Sequence, residues 1–413
     1  MKNISTKRLT VIGQGYVGLP LAMAAVNAGW TVVGIDNDID KVNRISSGSS
    51  PIEDISDLQL KIALQNNSYT VTNDFSKIIG TTVIVFCVPT PLNENRKPNL
   101  NLLKDAVEFS CEYFSESSLI INESTSYPGT LRSVIIPIVK ERKARSFSTM
   151  SFASAPERIN PGDKVWTLKN TPRLVGGIDP ISSKRAKEFY DSICDAVVEV
   201  SSPEVAEAGK LLENTFRLVN IALINEFAQL CSRANIKVHE VINAAATKPY
   251  GFMEFRPGVG VGGHCIPVDP LYLTWWARQS GYIAQIVEIS DAINGAMPLF
   301  VAKKALSLVS LEVVTPRVLI LGVAYKEGTS DVRETPVAKL RDHLQELGAE
   351  VSWYDPLVLT WGDTNPVNLD WPCDLVIAAT KQSNIDIGNF VSRKIPILDC
   401  TNSYSSFPGI SSL

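Results

Sequence analysis

LTVIGQGYVGLPLAMAA, residues 9–25, runs from a short β-branched apolar stretch through three glycines into a helical pattern. Gly13, Gly15 and Gly18 stand in GxGxxG spacing. There the first glycine permits a tight turn, the second lets a pyrophosphate approach the backbone, and the third allows the helix to pack closely on the strand. The N–H groups opening the helix then face the phosphates. The next β-rich run, WTVVGID at 30–36, ends in Asp36, where an acid accepts hydrogen bonds from an adenosine ribose. An acid at that point repels a 2′-phosphate, so the pattern favours NAD over NADP. A turn-glycine cluster followed by a surface aspartate, or the same fold serving another nucleotide, are the competing readings of this segment alone.

Working outward, VIVFCVP (83–89), SLIINES (118–124), SFASAPE (151–157) and PRLVGG (172–177) repeat the short apolar strand with helical intervals between. This predicts a mainly parallel sheet with crossover helices, an α/β domain over 1–200. The texture changes at Ser201. Ser202-Pro203-Glu204 is a helix start signal, and the chain then reads as helix to Asn235 with glycine only at 209. Such a helix bridges domains or packs a partner subunit. A shorter helix follows from Val238 to Ala246, and 201–310 reads as a central helical region. Past Thr315 the strand style returns in PRVLILGV, AEVSWYDP ending in Asp355, CDLVIAAT and IPILDCTN. Residues 311–413 thus read as a second α/β domain, a degenerate echo of 9–89.

Composition narrows the function. At 413 residues, 45% apolar and 20% charged, the chain reads as two or three globular domains, and a net charge of -4 gives no footprint for nucleic acid. The seven cysteines (87, 111, 194, 231, 265, 373, 400) form no CxxC pair, which fits free thiols in a reducing compartment. His239, His264 and His343 do not cluster, so no metal site is expected. No apolar run is long enough for a membrane span, and MKNISTKR leads straight into the first strand without a signal-peptide core. The cytoplasm is the expected location.

Two further segments carry chemistry. Lys210 and Asn214 share a face of the long helix; they are either solvated polar residues or groups aimed into an interdomain cleft. GVGVGGHCIPVDP (258–270) places glycines at 258, 260, 262 and 263 before His264 and Cys265, then Pro267, Asp269 and Pro270. That glycine density suits a loop folded against a ligand, and Cys265, between flexible and rigid stretches, suits a nucleophile. The other six cysteines lie in strand or helix patterns and read as buried and inert. His264 is adjacent, but neighbouring side chains diverge, so a Cys–His dyad does not follow.

Seven ordered segments resemble one family over essentially the whole chain: VIGQGYVGLPLA, CVPTP (87–91), NESTSYPGT (122–130), APERINPG (155–162), KLLENTFRLVNIALINE (210–226), RPGVGVGGHCIPVDP (256–270) and GVAYKEGTSDVRETP (322–336). The chain resembles the UDP-glucose/GDP-mannose dehydrogenase family, and within it the bacterial UDP-N-acetylhexosamine branch serving surface polysaccharides. The resemblance implies two Rossmann-like domains, mainly parallel sheets, joined by a long central helix in a helical dimerisation region. It implies a four-electron oxidation of a sugar C6 alcohol to a carboxylate, consuming two NAD, through a Cys265 thiohemiacetal and thioester. UDP-N-acetylglucosamine is the substrate it favours; UDP-N-acetylmannosamine, UDP-N-acetylgalactosamine and UDP-glucose are the alternatives.

Residue roles follow from the same resemblance. Lys210 and Asn214 would stabilise the alkoxide and tetrahedral adducts, with Asp269 assisting proton transfer. Glu157 would be the base for hydrolysis, with Thr125 near the same water; Glu157-Arg158 is otherwise a local surface ion pair. Tyr16 and Val17 would lie over the pyrophosphate, Lys41 near the adenosine, and Thr90, Thr125 and Arg333 against NAD. Arg158, Gly262 and Lys326 would contact the UDP-sugar, Lys326 and Arg333 flanking the two diphosphates. Arg256 would reach a partner subunit's sugar site in a homodimer. STSYPGT is bulkier than the commoner TVPG form of its motif, and HCIPVDP is the acetamido-sugar form of the cysteine loop. An NAD-using epimerase or dehydratase would need YxxxK, which is absent. A non-catalytic nucleotide sensor would have no need to keep Cys265, Lys210, Asn214 and Asp269 together.

Overall fold

The computed structural model describes residues 7–143, 145–159, 165–263, 265–383 and 385–413. His264 lies outside them, as do residues 160–164, which include the end of the APERINPG segment. The chain divides into two compact units, 1–213 and 214–413.

In the first unit β1 (Arg8–Ile12) leads into α1 (Gly18–Asn27), then β2 (Thr31–Ile35). Asp38 caps α2 (Ile39–Ser46) by accepting from the Lys41 N–H, and Ser56 caps α3 (Asp57–Gln65) in the same way from Gln59. There follow β3 (Tyr69–Thr72), β4 (Val83–Phe86), α4 (Asn101–Ser110) and β5 (Leu119–Asn122). A wide helical turn over 131–135 runs on into α5 (Ile136–Arg142). The unit continues with β6 (Ser151–Ser154), β7 (Arg173–Gly177), α6 (Pro180–Asp191) and β8 (Val197–Glu199), then enters α7 (Pro203–Arg233), which runs through the boundary.

The eight strands lie in the order β3-β2-β1-β4-β5-β6-β7-β8, all pairs parallel except β6 with β7. The central strands are buried along their whole length, as unbroken apolar runs require when helices cover both faces. The first six follow the doubly wound 3-2-1-4-5-6 order, whose switch point between β1 and β4 is where such sheets bind nucleotides. β3 and β8, which the sequence pattern does not single out as strands, are the two short edge strands of the sheet.

The second unit holds the rest of α7, then α8 (Val238–Ala246), α9 (Asp269–Gln279) and α10 (Gln285–Leu306). The pattern gave no warning of α10, because Gly295 and Pro298 fall inside it. Its sheet is built from β9 (Arg317–Leu321), β10 (Glu350–Tyr354), β11 (Leu375–Ala378), β12 (Ile397–Asp399) and β13 (Ser411–Ser412), with α11 (Pro336–Glu346) and α12 (Gly388–Ser392) as crossovers. The order β10-β9-β11-β12-β13 is all parallel, the 2-1-3-4-5 arrangement. No described helix is long and apolar enough to cross a membrane.

The echo between the sheets is physical. Gly13 N–H donates to the Ile35 carbonyl at 2.7 Å, and Gly322 N–H to that of Tyr354 at 2.9 Å. Asp36 then accepts from Gln14 N–H at 2.8 Å, and Asp355 from Val323 N–H at 2.9 Å. Gly322 has φ +79°, and a β-carbon there would lie 2.0 Å from the Thr380 carbonyl oxygen; Gly348, at φ +91°, faces open space. Gly348→Ala is therefore predicted to cost about 1–2 kcal/mol of left-handed strain. Gly322→Ala, which must also displace backbone, should lower the melting temperature by clearly more in thermal unfolding of the two variants.

Candidate functional site

The glycine turn of the first unit has the shape a dinucleotide needs. A β-carbon on Gly13 would meet the Cys87 carbonyl oxygen at 2.4 Å, and one on Gly18 would meet the Gly13 carbonyl oxygen at 1.8 Å, whereas nothing lies within 4 Å of one on Gly15. Two glycines are thus needed by the protein's own packing and one opens outward, leaving backbone for a pyrophosphate. Asp36 is buried at the end of β2 and takes the Gln14 and Asp38 N–H groups and the Lys41 ammonium at 3.0 Å. An ionised carboxylate has about four acceptor positions, so one remains for a ribose hydroxyl. These residues fit NAD. Tyr16 and Val17 are half-buried on the same turn, and buried Thr90 donates its hydroxyl to the Thr125 carbonyl at 2.7 Å, joining the loops after β4 and β5.

Lys210 and Asn214 are both buried, which removes the reading of them as solvated polar residues. Glu157 is also buried, and its partner is not Arg158. Arg173, on β7, pairs with Glu157 Oε2 at 2.7 Å, while Arg158 pairs with Glu213. The surface ion-pair reading of Glu157-Arg158 is thereby corrected: the two side chains point to different partners because the backbone N–H groups of Arg158 and Ile159 turn in to hold Glu157 Oε1 at 2.6 and 2.5 Å.

Arg173 has a second carboxylate, Glu123, at 3.5 Å, and Glu123 also receives the Tyr190 hydroxyl and faces Cys87 Sγ at 3.8 Å. Burial pushes Glu123 up to about 7, against the pull of Arg173 and with Glu157 adding to the rise. Burial opposes the charge on Glu157 too, but Arg173, Lys210 and the Ile159 N–H outweigh it and hold that carboxyl below its ordinary value. Of the two carboxylates that share Arg173, Glu157 is thus the one whose charged form its contacts favour. Nothing in the sequence marked Glu123, Arg173 or Tyr190 as site residues; the available signal was an arginine opening an apolar strand and a glutamate closing another.

In the second unit Asn214 donates to Asp269 Oδ2 at 2.5 Å, and Asp269, at the start of α9, donates its N–H to the Cys265 carbonyl at 2.9 Å. Asn214, Asp269 and Cys265 are thus brought together. Cys265 is the exposed cysteine; the other six are buried, as their strand and helix patterns predict. The glycine loop before it is not shaped by a ligand alone. β-Carbons on Gly262 and Gly263 would lie 2.8 and 2.7 Å from the Tyr325 side chain, and one on Gly262 equally close to Pro336. Gly262 and Gly263 are required by the protein's own packing as well, because this part of the loop lies flat on Tyr325 and Pro336. Burial pushes the Tyr325 hydroxyl upward, with Asp331 and Cys265 adding to it, so Tyr325 lies within electrostatic reach of the thiol. Asn225, on α7, holds the start of the loop by accepting the Gly258 N–H at 3.0 Å.

The remaining predicted residues are placed apart from this cluster or at its edge. Arg333 is exposed and paired with Asp331 at 2.6 Å, while its carbonyl accepts the Gly263 N–H at 3.2 Å. Lys326 is half-buried in the same loop. Arg256 is exposed, bonded to Asn243 and Glu254 and 3.4 Å from His239 Nδ1. Burial and the Arg256 charge lower the pKa of His239, partly offset by Asp399.

Residues 7–194 match the NAD binding domain of the UDP-glucose/GDP-mannose dehydrogenase family, 204–296 its central domain and 319–404 its UDP binding domain. The UDP-N-acetyl-D-mannosamine dehydrogenase of Methanococcus vannielii is 35% identical over 356 residues, 85% of this chain and 80% of that protein. The UDP-N-acetyl-D-glucosamine 6-dehydrogenase of Pseudomonas aeruginosa is 36% identical over 356 residues, 85% and 83% of the two chains. The structure of UDP-D-ManNAc dehydrogenase from Pyrococcus horikoshii matches at a TM-score of 0.89 and 30% identity, covering 98% of both chains.

Removing Arg173 strands two buried carboxylates. Arg173→Met is predicted to cost about 3–5 kcal/mol in denaturant unfolding, and adding Glu123→Gln should recover part of the loss. Equal stability of the single and double variants would show that Glu123 does not share the cation.

Proposed function

Because the chain belongs to the UDP-glucose/GDP-mannose dehydrogenase family and is an NAD-dependent UDP-sugar 6-dehydrogenase, we propose that its substrate is UDP-N-acetylglucosamine, oxidised at C6 to the uronic acid. The observation that carries the covalent route is Cys265, exposed just ahead of α9 while every other cysteine is buried, with Asp269 fixed to Asn214 beside it. Support for an acetamido sugar comes from the HCIPVDP loop and from the two relatives, one named for N-acetylglucosamine and one for N-acetylmannosamine. The product would serve as a uronic acid precursor of surface polysaccharide.

Bound NAD supplies the hydride acceptor, one equivalent for each two-electron step. The protein's residues do the rest. As the C6 hydroxyl loses its proton, Lys210 stabilises the oxygen's negative charge; Asn214 has one N–H on Asp269 and a second left to donate. Loss of the first hydride leaves an aldehyde. The Cys265 thiolate adds to its carbon, forming a C–S bond and an alkoxide on O6. Loss of the second hydride from that carbon gives a thioester. Water then attacks, the C–S bond breaks, and the carboxylate leaves with Cys265 restored as thiolate.

Glu157 takes a different part from the hydrolytic base implied by resemblance. Its oxygens are engaged by Arg173 and two backbone N–H groups, which leaves them poorly placed to take a proton from water. We assign it the electrostatic support of Lys210, and give the proton transfer to Asp269. Asp36, Gly15, Tyr16, Val17, Lys41, Thr90, Thr125 and Arg333 are proposed for NAD, and Arg158, Gly262 and Lys326 for the UDP-sugar.

A homodimer is part of the proposal, with Arg256 reaching the partner's sugar. α7 leaves Val205, Leu212, Phe216, Leu223 and Leu230 exposed, a stripe at heptad-like spacing along one long helix. Leu223→Glu with Leu230→Glu should give a monomer in sedimentation and remove most turnover; a variant that stays dimeric, or a fully active monomer, contradicts this assembly.

Turnover decides the substrate. UDP-N-acetylglucosamine should yield two NADH per sugar, and Cys265→Ala should abolish acid formation. A preference for UDP-N-acetylmannosamine, UDP-N-acetylgalactosamine or UDP-glucose in the same assay would replace the substrate and keep the mechanism. Full acid formation without Cys265 would end the covalent route.

A further inference from the structure

Glu207 has no part in the chemistry above, yet it is almost wholly buried and takes three donors. Its Oε2 accepts the Gly129 N–H at 2.7 Å, and its Oε1 accepts the Leu131 N–H at 3.2 Å and the Ser154 hydroxyl at 2.8 Å. The first two are amides at the opening of the helical segment that continues as α5. Such amides have no partner within their own helix, and a carboxylate beside them is favoured by the helix dipole.

Each bonded segment leads to a residue of the proposed site. Gly129 closes the loop that carries Thr125, whose carbonyl is held by Thr90. Ser154 ends β6, from which the chain runs directly to Glu157. Glu207 itself lies one turn before Lys210 on α7. One carboxylate therefore ties together the backbone under Thr125, the strand end before Glu157 and the helix bearing Lys210.

We propose that Glu207 is a positioning residue, which sets Lys210 at its working height on α7 relative to Thr125 and Glu157. This rests on the reading of those three residues as site residues. A surface cap could satisfy the same amides without burying a charge; what the buried carboxylate adds is a rigid link among three segments that no other described side chain bonds at once. The charged neighbour on the same helix, Glu204, is already turned outward onto Arg132 at 2.7 Å and does not substitute.

Glu207→Gln keeps the shape but turns an NH2 group toward amide donors. In the full-length protein, turnover with the preferred UDP-sugar and NAD should fall about tenfold or more, while KM for the UDP-sugar changes by no more than about threefold. Hydrogen exchange should accelerate in peptides spanning 125–133 and stay unchanged in 218–233. Ser154→Ala, which removes the tie toward Glu157 and leaves both amide bonds, should lower turnover by less than Glu207→Gln and leave exchange in 125–133 unchanged. If the glutamine variant is not recovered folded, Glu207→Asp, one methylene short, should show the same split. A variant that only melts earlier with kcat intact, or one whose exchange in 125–133 is unaltered, overturns the positioning role. Wild-type protein inactive on every UDP-sugar instead overturns the reading of the site on which it rests.

Discussion

At the end of β1 there is no room for a side chain. The Gly13 α-carbon sits so close to the Cys87 carbonyl that a β-carbon would fall 2.4 Å from its oxygen, and Gly18 is pressed as closely onto Gly13 itself. This closeness lets β1 and β4 run side by side to the point where their connections diverge, and it delivers the Gln14 N–H to Asp36. Asp36 in turn collects Lys41. The cofactor side of the first unit is thus decided by a steric constraint at one residue, and the electrostatic contacts are consequences of where it puts the backbone.

A second layer of order lies below that turn and is made of charge. Arg173 satisfies two buried carboxylates, and Glu207 satisfies two amides and a hydroxyl, so the loops after β5 and β6 are each fastened by a group in the interior. Buried ion pairs add little net stability over well-packed apolar residues, but breaking one is costly. Their effect is to leave the loops one arrangement. Burial also pushes both Glu123 and Glu207 up to about 7, the cost of keeping carboxylates where apolar side chains would have packed more cheaply.

Elements written in one continuous segment were legible in the sequence: the glycine turn, the strand ending in Asp36, the long helix from Pro203, the short helix Val238–Ala246, and Cys265 as the cysteine unlike the rest. Those hidden by local composition were not. α10 contains Gly295 and Pro298, and tertiary packing overrides both. Arg173, Glu123 and Glu207 look like ordinary charges in the sequence, because burial and pairing across as many as 78 positions leave no periodic trace. The glycines before Cys265 were visible in the sequence, but only the structure shows Tyr325 and Pro336 filling the space where side chains on Gly262 and Gly263 would be.

The repeated strand–glycine–acid device shows how one backbone solution can serve two ligand problems. In both sheets a glycine closes onto a carbonyl across the switch point and an aspartate at the neighbouring strand end gathers the next amides. Only the first sheet follows that turn at once with an open Gly15 and a helix N-terminus, the arrangement that suits a phosphate on backbone N–H groups. In the second, Val323 and Ala324 spend their N–H groups on Asp355, and the helix does not begin until Pro336. The intervening loop carries Lys326 and Arg333 instead. The same strand–glycine–acid device therefore presents side-chain cations in the second unit where it presents an open backbone in the first.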